Sequence, residues 1–223
     1  MSPLRSSPLH AVLTARQARF ATLLGMPVAV QVSNADQARA ATAGVIDVSC
    51  LERVGLKGPR AAEWLAERGV PVPAQPNQWC ATERDELVAR LARSEFLIEG
   101  GPGGISVPAV RAELRAGLDG VYPVWRQDCA LMLIGSCIPE LLVQTCNVDF
   151  AAQPVGEPVV TLTQMVGVSV TVLRHSLSGA PAWRVWCDYT AGTYLWETLV
   201  GIAEELGGGP AGITAAWPAL QAG

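Results

Sequence analysis

Apolar residues recur along this chain with two periods, and the places where one gives way to the other outline its elements. Ala191, Tyr194, Leu195, Thr198, Leu199, Ile202 and Leu206 fall at helical spacing and predict one continuous helical face. Ala61, Trp64 and Leu65 line a shorter helix behind Gly58-Pro59, a pair that suits a helix start, and Gly69 is its natural stop. Pro108 opens a third helix with Val107, Val110, Leu114 and Leu118 facing inward, and Pro139 opens a short fourth one running to Thr145. Strands are read at 51–56, 87–91, 95–98, 129–134, 159–166, 168–174 and 182–187, with turns at Gly167 and at 178–181. Before residue 44 a helix is expected near 35–42.

This order gives a domain plan. Residues 1–43 read as an Ala-, Ser- and Pro-rich N-terminal leader, partly ordered. Residues 44–210 read as the folded domain, with subdomains at about 44–120 and 121–210, and 211–223 as a tail. Helices and strands are mixed, with hairpin-like neighbours. That argues for an α+β fold with mixed or antiparallel sheets, not a doubly wound parallel one.

Composition narrows the class. Half of the 223 residues are apolar, enough for a sizeable core, and only 16% are charged, against about 25% in ordinary soluble domains. A surface so poor in charge suits a partner, and equally an alanine-rich codon bias; every basic residue except Lys57 is Arg. The net charge of −4, with Arg scattered among acids, disfavours nucleic acid. The apolar run 129–143 contains Pro139 and Glu140 and is too short to span a bilayer, so no membrane is expected. The start of the chain, interrupted by Arg16 and Arg19, does not read as a signal peptide. The six cysteines form no Cys-x-x-Cys pair, and only His10 and His175 accompany them, so no metal site is expected. Cys129, Cys137, Cys146 and Cys187 lie in apolar runs and read as small core residues, and the thiols as reduced, in a cytoplasmic protein.

Candidate chemistry is sparse. Gly100-Gly101-Pro102-Gly103-Gly104 lacks the Lys and Ser/Thr of a phosphate loop and the spacing of a dinucleotide loop; it reads as a turn. No Gly-x-Ser-x-Gly elbow occurs. His175, near Ser176 and Ser178, reads as lying just beyond a strand end, with no third group to orient it. Asp85 and Glu86 are adjacent carboxylates that read as a solvated strand entrance, with an amine partner as the functional alternative. Of the tryptophans, Trp186 and Trp196 are expected in the core, while Trp79, Trp125 and Trp183 could line a ligand pocket or an interface.

Several stretches, taken in order, resemble one family. Gly44-Val45-Ile46-Asp47-Val48-Ser49, followed by Gly58-Pro59-Arg60-Ala61 and Trp64-Leu65, resembles the opening of the glycine-cleavage T-protein (aminomethyltransferase) superfamily. Asp85-Glu86-Leu87-Val88 through Phe96-Leu97-Ile98 resembles its Asp-Asp-Leu hairpin. Leu131-Met132-Leu133-Ile134-Gly135 resembles its Leu-x-Gly-Pro unit, and Val166-Gly167-Val168 through Arg174 its Ala-Gly-Val hairpin. Tyr194-Leu195-Trp196 with Leu199 resembles its last helix. The resemblance covers about residues 44–207 and is greatest to the sarcosine oxidase gamma subunit, which is similarly short.

The resemblance implies a T-protein-like fold lacking the C-terminal β-barrel. It makes Asp85 the match to the family's catalytic Asp, and Asp85 and Arg174 the matches at cofactor-binding positions. The family reads Arg-x-Gly-Tyr-Thr-Gly-Glu after the hairpin. Here Arg174 is followed by His175-Ser176-Leu177-Ser178-Gly179, and the pterin-contacting Glu is missing. The expectation is therefore a non-catalytic subunit docked on larger flavoprotein subunits that carry FAD or FMN and oxidise sarcosine or a related N-methyl amine. Tetrahydrofolate stays open for this chain. The alternative is a free-standing folate-dependent aminomethyltransferase-like enzyme or a folate-binding module.

Overall fold

A computed structural model of the chain describes residues 5–82, 86–102, 106–115, 117–153 and 157–222. The chain divides into two compact units. One comprises Met1–Cys50, Asp128–Glu157 and Leu162–Gly223, and the other Leu51–Gln127 and Pro158–Thr161.

The first unit opens with α1 (His10–Ala15), the hairpin β1 (Arg19–Leu23) and β2 (Met26–Gln31), α2 (Asp36–Ala43) and β3 (Gly44–Asp47). The helix α2 is the one read at 35–42. The hairpin is absent from the sequence reading because its turn is Leu24-Gly25, both at positive φ, where an Asn-Gly or Asp-Gly pair would have announced it.

The second unit holds β4 (Arg53–Lys57), α3 (Ala61–Ala66), β5 (Gln78–Ala81), β6 (Leu87–Ala92), β7 (Glu95–Glu99), α4 (Ser106–Arg115) and β8 (Tyr122–Val124). Its strands form one antiparallel sheet in the order β5-β6-β7-β4-β8. One face of that sheet, Val54, Leu56, Val88, Phe96 and Ile98, meets Trp64 and Leu65 of α3 and Val107, Val110 and Leu114 of α4. These are the inward positions that the helical spacing predicts.

The chain then returns with β9 (Cys129–Ile134), α5 (Ile138–Thr145), β10 (Val160–Met165), β11 (Val168–Leu177), β12 (Ala180–Cys187), α6 (Gly192–Glu205) and β13 (Gly209–Ala211). The first unit's main sheet runs β10-β11-β12-β9-β3-β13. It is antiparallel between β11, β12, β9 and β3, and parallel between β3 and β13. Two further X-Gly turns, Val166-Gly167 and Ser178-Gly179, both at positive φ, set the hairpins β10–β11 and β11–β12. Val45, Leu131, Leu133, Val172, Trp183 and Val185 alternate onto one face and pack against α5, α6, Leu9 and Leu13. The protein is thus α+β with antiparallel and mixed sheets, and the described residues form no closed barrel.

The α6 face differs from the one read. Its buried residues are Gly192, Leu195, Trp196, Leu199, Val200 and Ala203, whereas Tyr194 is 56% exposed. The stripe is rotated by about one residue. Gly192 causes this: a Cβ there would lie 2.8 Å from both Cβ and Sγ of Cys129, so the bare glycine seats the helix on β9 and swings Trp196 into the core.

The C-terminal segment is tied to the N-terminal one. The Asp36 carboxylate accepts hydrogen bonds from the backbone N–H of Val32 (2.8 Å), Ser33 (2.7 Å) and Gly212 (2.8 Å) and from the Ser33 hydroxyl (3.1 Å). The Thr214 hydroxyl donates to the Val30 carbonyl at 2.6 Å.

Candidate functional site

Asp85 lies outside the described residues. Its neighbour Glu86 does not sit at a solvated entrance: it is 0% exposed. The Thr82 hydroxyl donates to its carboxylate at 3.2 Å and accepts from its backbone N–H at 3.2 Å, just before β6. In the same unit Arg53 on β4 and Glu99 on β7 stand opposite each other and form an ion pair at 3.2 Å, both almost fully buried. Arg111 reaches back from α4 to the Glu52 carboxylate and the Arg53 carbonyl, at 3.0 Å each.

Arg174 sits on β11 opposite Trp183 of β12, its guanidinium carbon 5.4 Å from the indole centroid. Trp183 belongs to the helix-covered core face, so Arg174 lies along the edge of that face. Trp183 is therefore a core residue with an Arg laid on it, while Trp125 stands 73% exposed.

His175 is not beyond the strand end. It lies within β11, paired with Ala182, because β11 continues to Leu177. On the opposite face from Arg174, His175 shares a row with Arg184, which pairs with Leu173. Arg184 is 2% exposed, and its guanidinium lies over the Trp217 ring at 5.4 Å. Burial, followed by the positive charge of Arg184, pushes the His175 imidazole down to about 3. Its Nδ1 is 3.2 Å from the Ser176 carbonyl. A carbonyl only accepts, so Nδ1 carries the proton and the buried Nε2 is an acceptor without a partner. An imidazole held neutral this far below its ordinary value is not suited to moving a proton near neutral pH.

Arg184 carries no sequence motif. Its one signal is phase: a charge at every-second-residue spacing between Ala182 and Trp186, on the face of an otherwise apolar strand.

All six cysteines are free thiols. Among the described residues no group of three His, Cys, Asp or Glu is placed to hold a metal ion, and no helix is long and apolar enough to cross a membrane.

No protein-family model and no curated protein sequence matches this chain. Solved structures do match its fold. The glycine cleavage system aminomethyltransferase T from Bartonella henselae superposes with a TM-score of 0.71 at 19% identity, over 96% of this chain and 61% of that one. A chain of the heterotetrameric sarcosine oxidase from Corynebacterium sp. U-96, solved with pyrrole 2-carboxylate, superposes with a TM-score of 0.66, also at 19% identity. That match covers 92% of this chain and 97% of the other. The chain has a T-protein-like fold. It spans about three-fifths of the aminomethyltransferase and nearly all of the sarcosine oxidase chain.

Proposed function

We propose that this chain is a non-catalytic, sarcosine oxidase gamma-like subunit of a cytoplasmic flavin- and tetrahydrofolate-dependent oxidoreductase acting on sarcosine or a related N-methyl amine. The observation that carries this reading is the superposition of 92% of this chain, with a TM-score of 0.66, on a chain of a heterotetrameric sarcosine oxidase. In this reading larger flavoprotein subunits hold FAD or FMN and perform the oxidation.

The fold implies tetrahydrofolate, and the residues of this chain fit it poorly. The stretch where the resembled family carries its pterin-contacting Glu is here the end of β11, the Ser178-Gly179 turn and the start of β12, with no acid among residues 175–182. A buried pterin amide edge without such a partner is left unpaired. The nearby His175 offers a neutral acceptor only. No folate step is assigned to this chain.

The second reading is a free-standing folate-dependent aminomethyltransferase-like enzyme or folate-binding module. It is favoured by the higher TM-score to the aminomethyltransferase, and Asp85 would be its catalytic residue. The test is a pull-down of the tagged chain from its native cells, with a visible spectrum of the eluate. A large partner bringing flavin absorbance supports the subunit. A colourless monomer that binds tetrahydrofolate at micromolar concentration by calorimetry overturns it in favour of the second reading.

A further inference from the structure

Cys129 on β9 and Cys187 on β12 stand directly opposite each other, and both face the core under α5 and α6. Opposed residues of an antiparallel pair have Cα atoms about 4.5–5.5 Å apart, inside the span a disulfide bridges. The register sets the two side chains next to each other on that face. Cys146 faces the Thr163 hydroxyl at 3.7 Å, Cys137 the Ser136 hydroxyl at 3.8 Å, and Cys80 the Pro71 carbonyl at 3.6 Å.

We propose that Cys129 and Cys187 are a dithiol modification site that closes to a reversible disulfide when the protein meets a peroxide. Cys187 is the attacking sulfur. It is 4% exposed, whereas Cys129 is 0% exposed.

In the first step the Cys187 thiolate attacks one peroxide oxygen. The O–O bond breaks, the other oxygen leaves as water, and Cys187 becomes a sulfenic acid. In the second, the Cys129 sulfur attacks the Cys187 sulfur, gives up its proton, and expels the sulfenic oxygen as a second water. Two thiols lose two electrons and two protons, and one peroxide becomes two waters. A thiol reductant reverses the bond.

The test uses the full reduced chain, exposed to hydrogen peroxide, then denatured and alkylated with N-ethylmaleimide. Intact mass should show four alkylated thiols, the six free cysteines less the two joined, returning to six after dithiothreitol. Peptide mapping should recover Cys129 cross-linked to Cys187, and Cys187→Ser should keep all five remaining thiols alkylatable. Retention of six thiols at peroxide levels that form sulfenic acid in a free thiol overturns the proposal. So does a cross-link that maps to any other pair. Because the first readout uses the unmutated chain, a variant that fails to fold does not protect the idea.

Discussion

Replacing Asp36 by Ala tests how the start and end of the first unit are held together. The carboxylate takes three backbone N–H bonds and one hydroxyl bond, all between 2.7 and 3.1 Å. The donors are not equivalent. Val32 and Ser33 are half-exposed, and water can replace what they lose. Gly212 is buried against the Val30 backbone, where even an added Cβ would meet the carbonyl oxygen at 2.3 Å. Its N–H has no room for water, and an orphaned buried donor costs about 1–3 kcal/mol. Loss of the charge-assisted bonds to the Val32–Ser33 loop adds about 1–2 kcal/mol after rehydration. The expected destabilisation is about 2–5 kcal/mol, a large part of the roughly 5–15 kcal/mol that holds a typical domain. Asp36→Asn keeps one acceptor oxygen but turns an NH2 towards an N–H, so about half that loss is expected. Urea unfolding at pH 7, followed by tryptophan fluorescence, measures both, and amide exchange at Gly212 should accelerate in each. An Asp36→Ala midpoint within about 0.5 kcal/mol of the parent, the usual effect of a surface change, would refute this account of the tie.

Three further outcomes are expected. His175 has a folded value depressed to about 3 against about 6.5 when unfolded, so the unfolded chain binds the extra proton between those limits. Stability is then complete above pH 6.5 and falls as pH drops towards 3, by about 2 kcal/mol at pH 5; His175→Gln should flatten that part of a pH series of unfolding midpoints. On α6, Trp196→Ala should cost about 3–5 kcal/mol in thermal or urea unfolding, and Tyr194→Ala under about 1, because only the first lies in the core; equal losses would restore the unrotated helical face. Arg53→Ala should cost about 3–5 kcal/mol by removing the opposite charge 3.2 Å from the buried Glu99 carboxylate, while the double change Arg53→Met with Glu99→Leu should recover most of it.

What could be read in the sequence was what periodicity and Gly/Pro punctuation encode. The inner faces of α3 and α4 and the strands β6, β7, β9, β10 and β11 follow from spacing alone. What could not be read was set by partners distant in the chain. The β13 strand is three residues, Gly209–Ala211, and exists because β3 offers a parallel edge. The α6 face is rotated because Gly192 meets Cys129, a residue from another strand. Glu86 reads as a surface acid beside Asp85 until Thr82 is seen to fold over it. The site residues suffer most: Arg184 acquires meaning only from the register that sets it beside His175 and from Trp217 arriving over it.

The position of β3 has a consequence for the chain during its synthesis. On one side β3 pairs with β9, and on the other with β13, so its neighbours emerge from the ribosome long after it does. At roughly 5–20 residues per second, Val45 and Ile46 wait on the order of ten seconds or more for the last of those neighbours. The strands β4 to β8, by contrast, lie in one stretch and can pair with each other soon after they appear. The nascent chain therefore carries an apolar strand with an open edge while a complete sheet forms beside it in sequence. Such an edge is a template for pairing with other chains. A chain that stops short of Gly209 leaves the β13 side of β3 without its parallel partner.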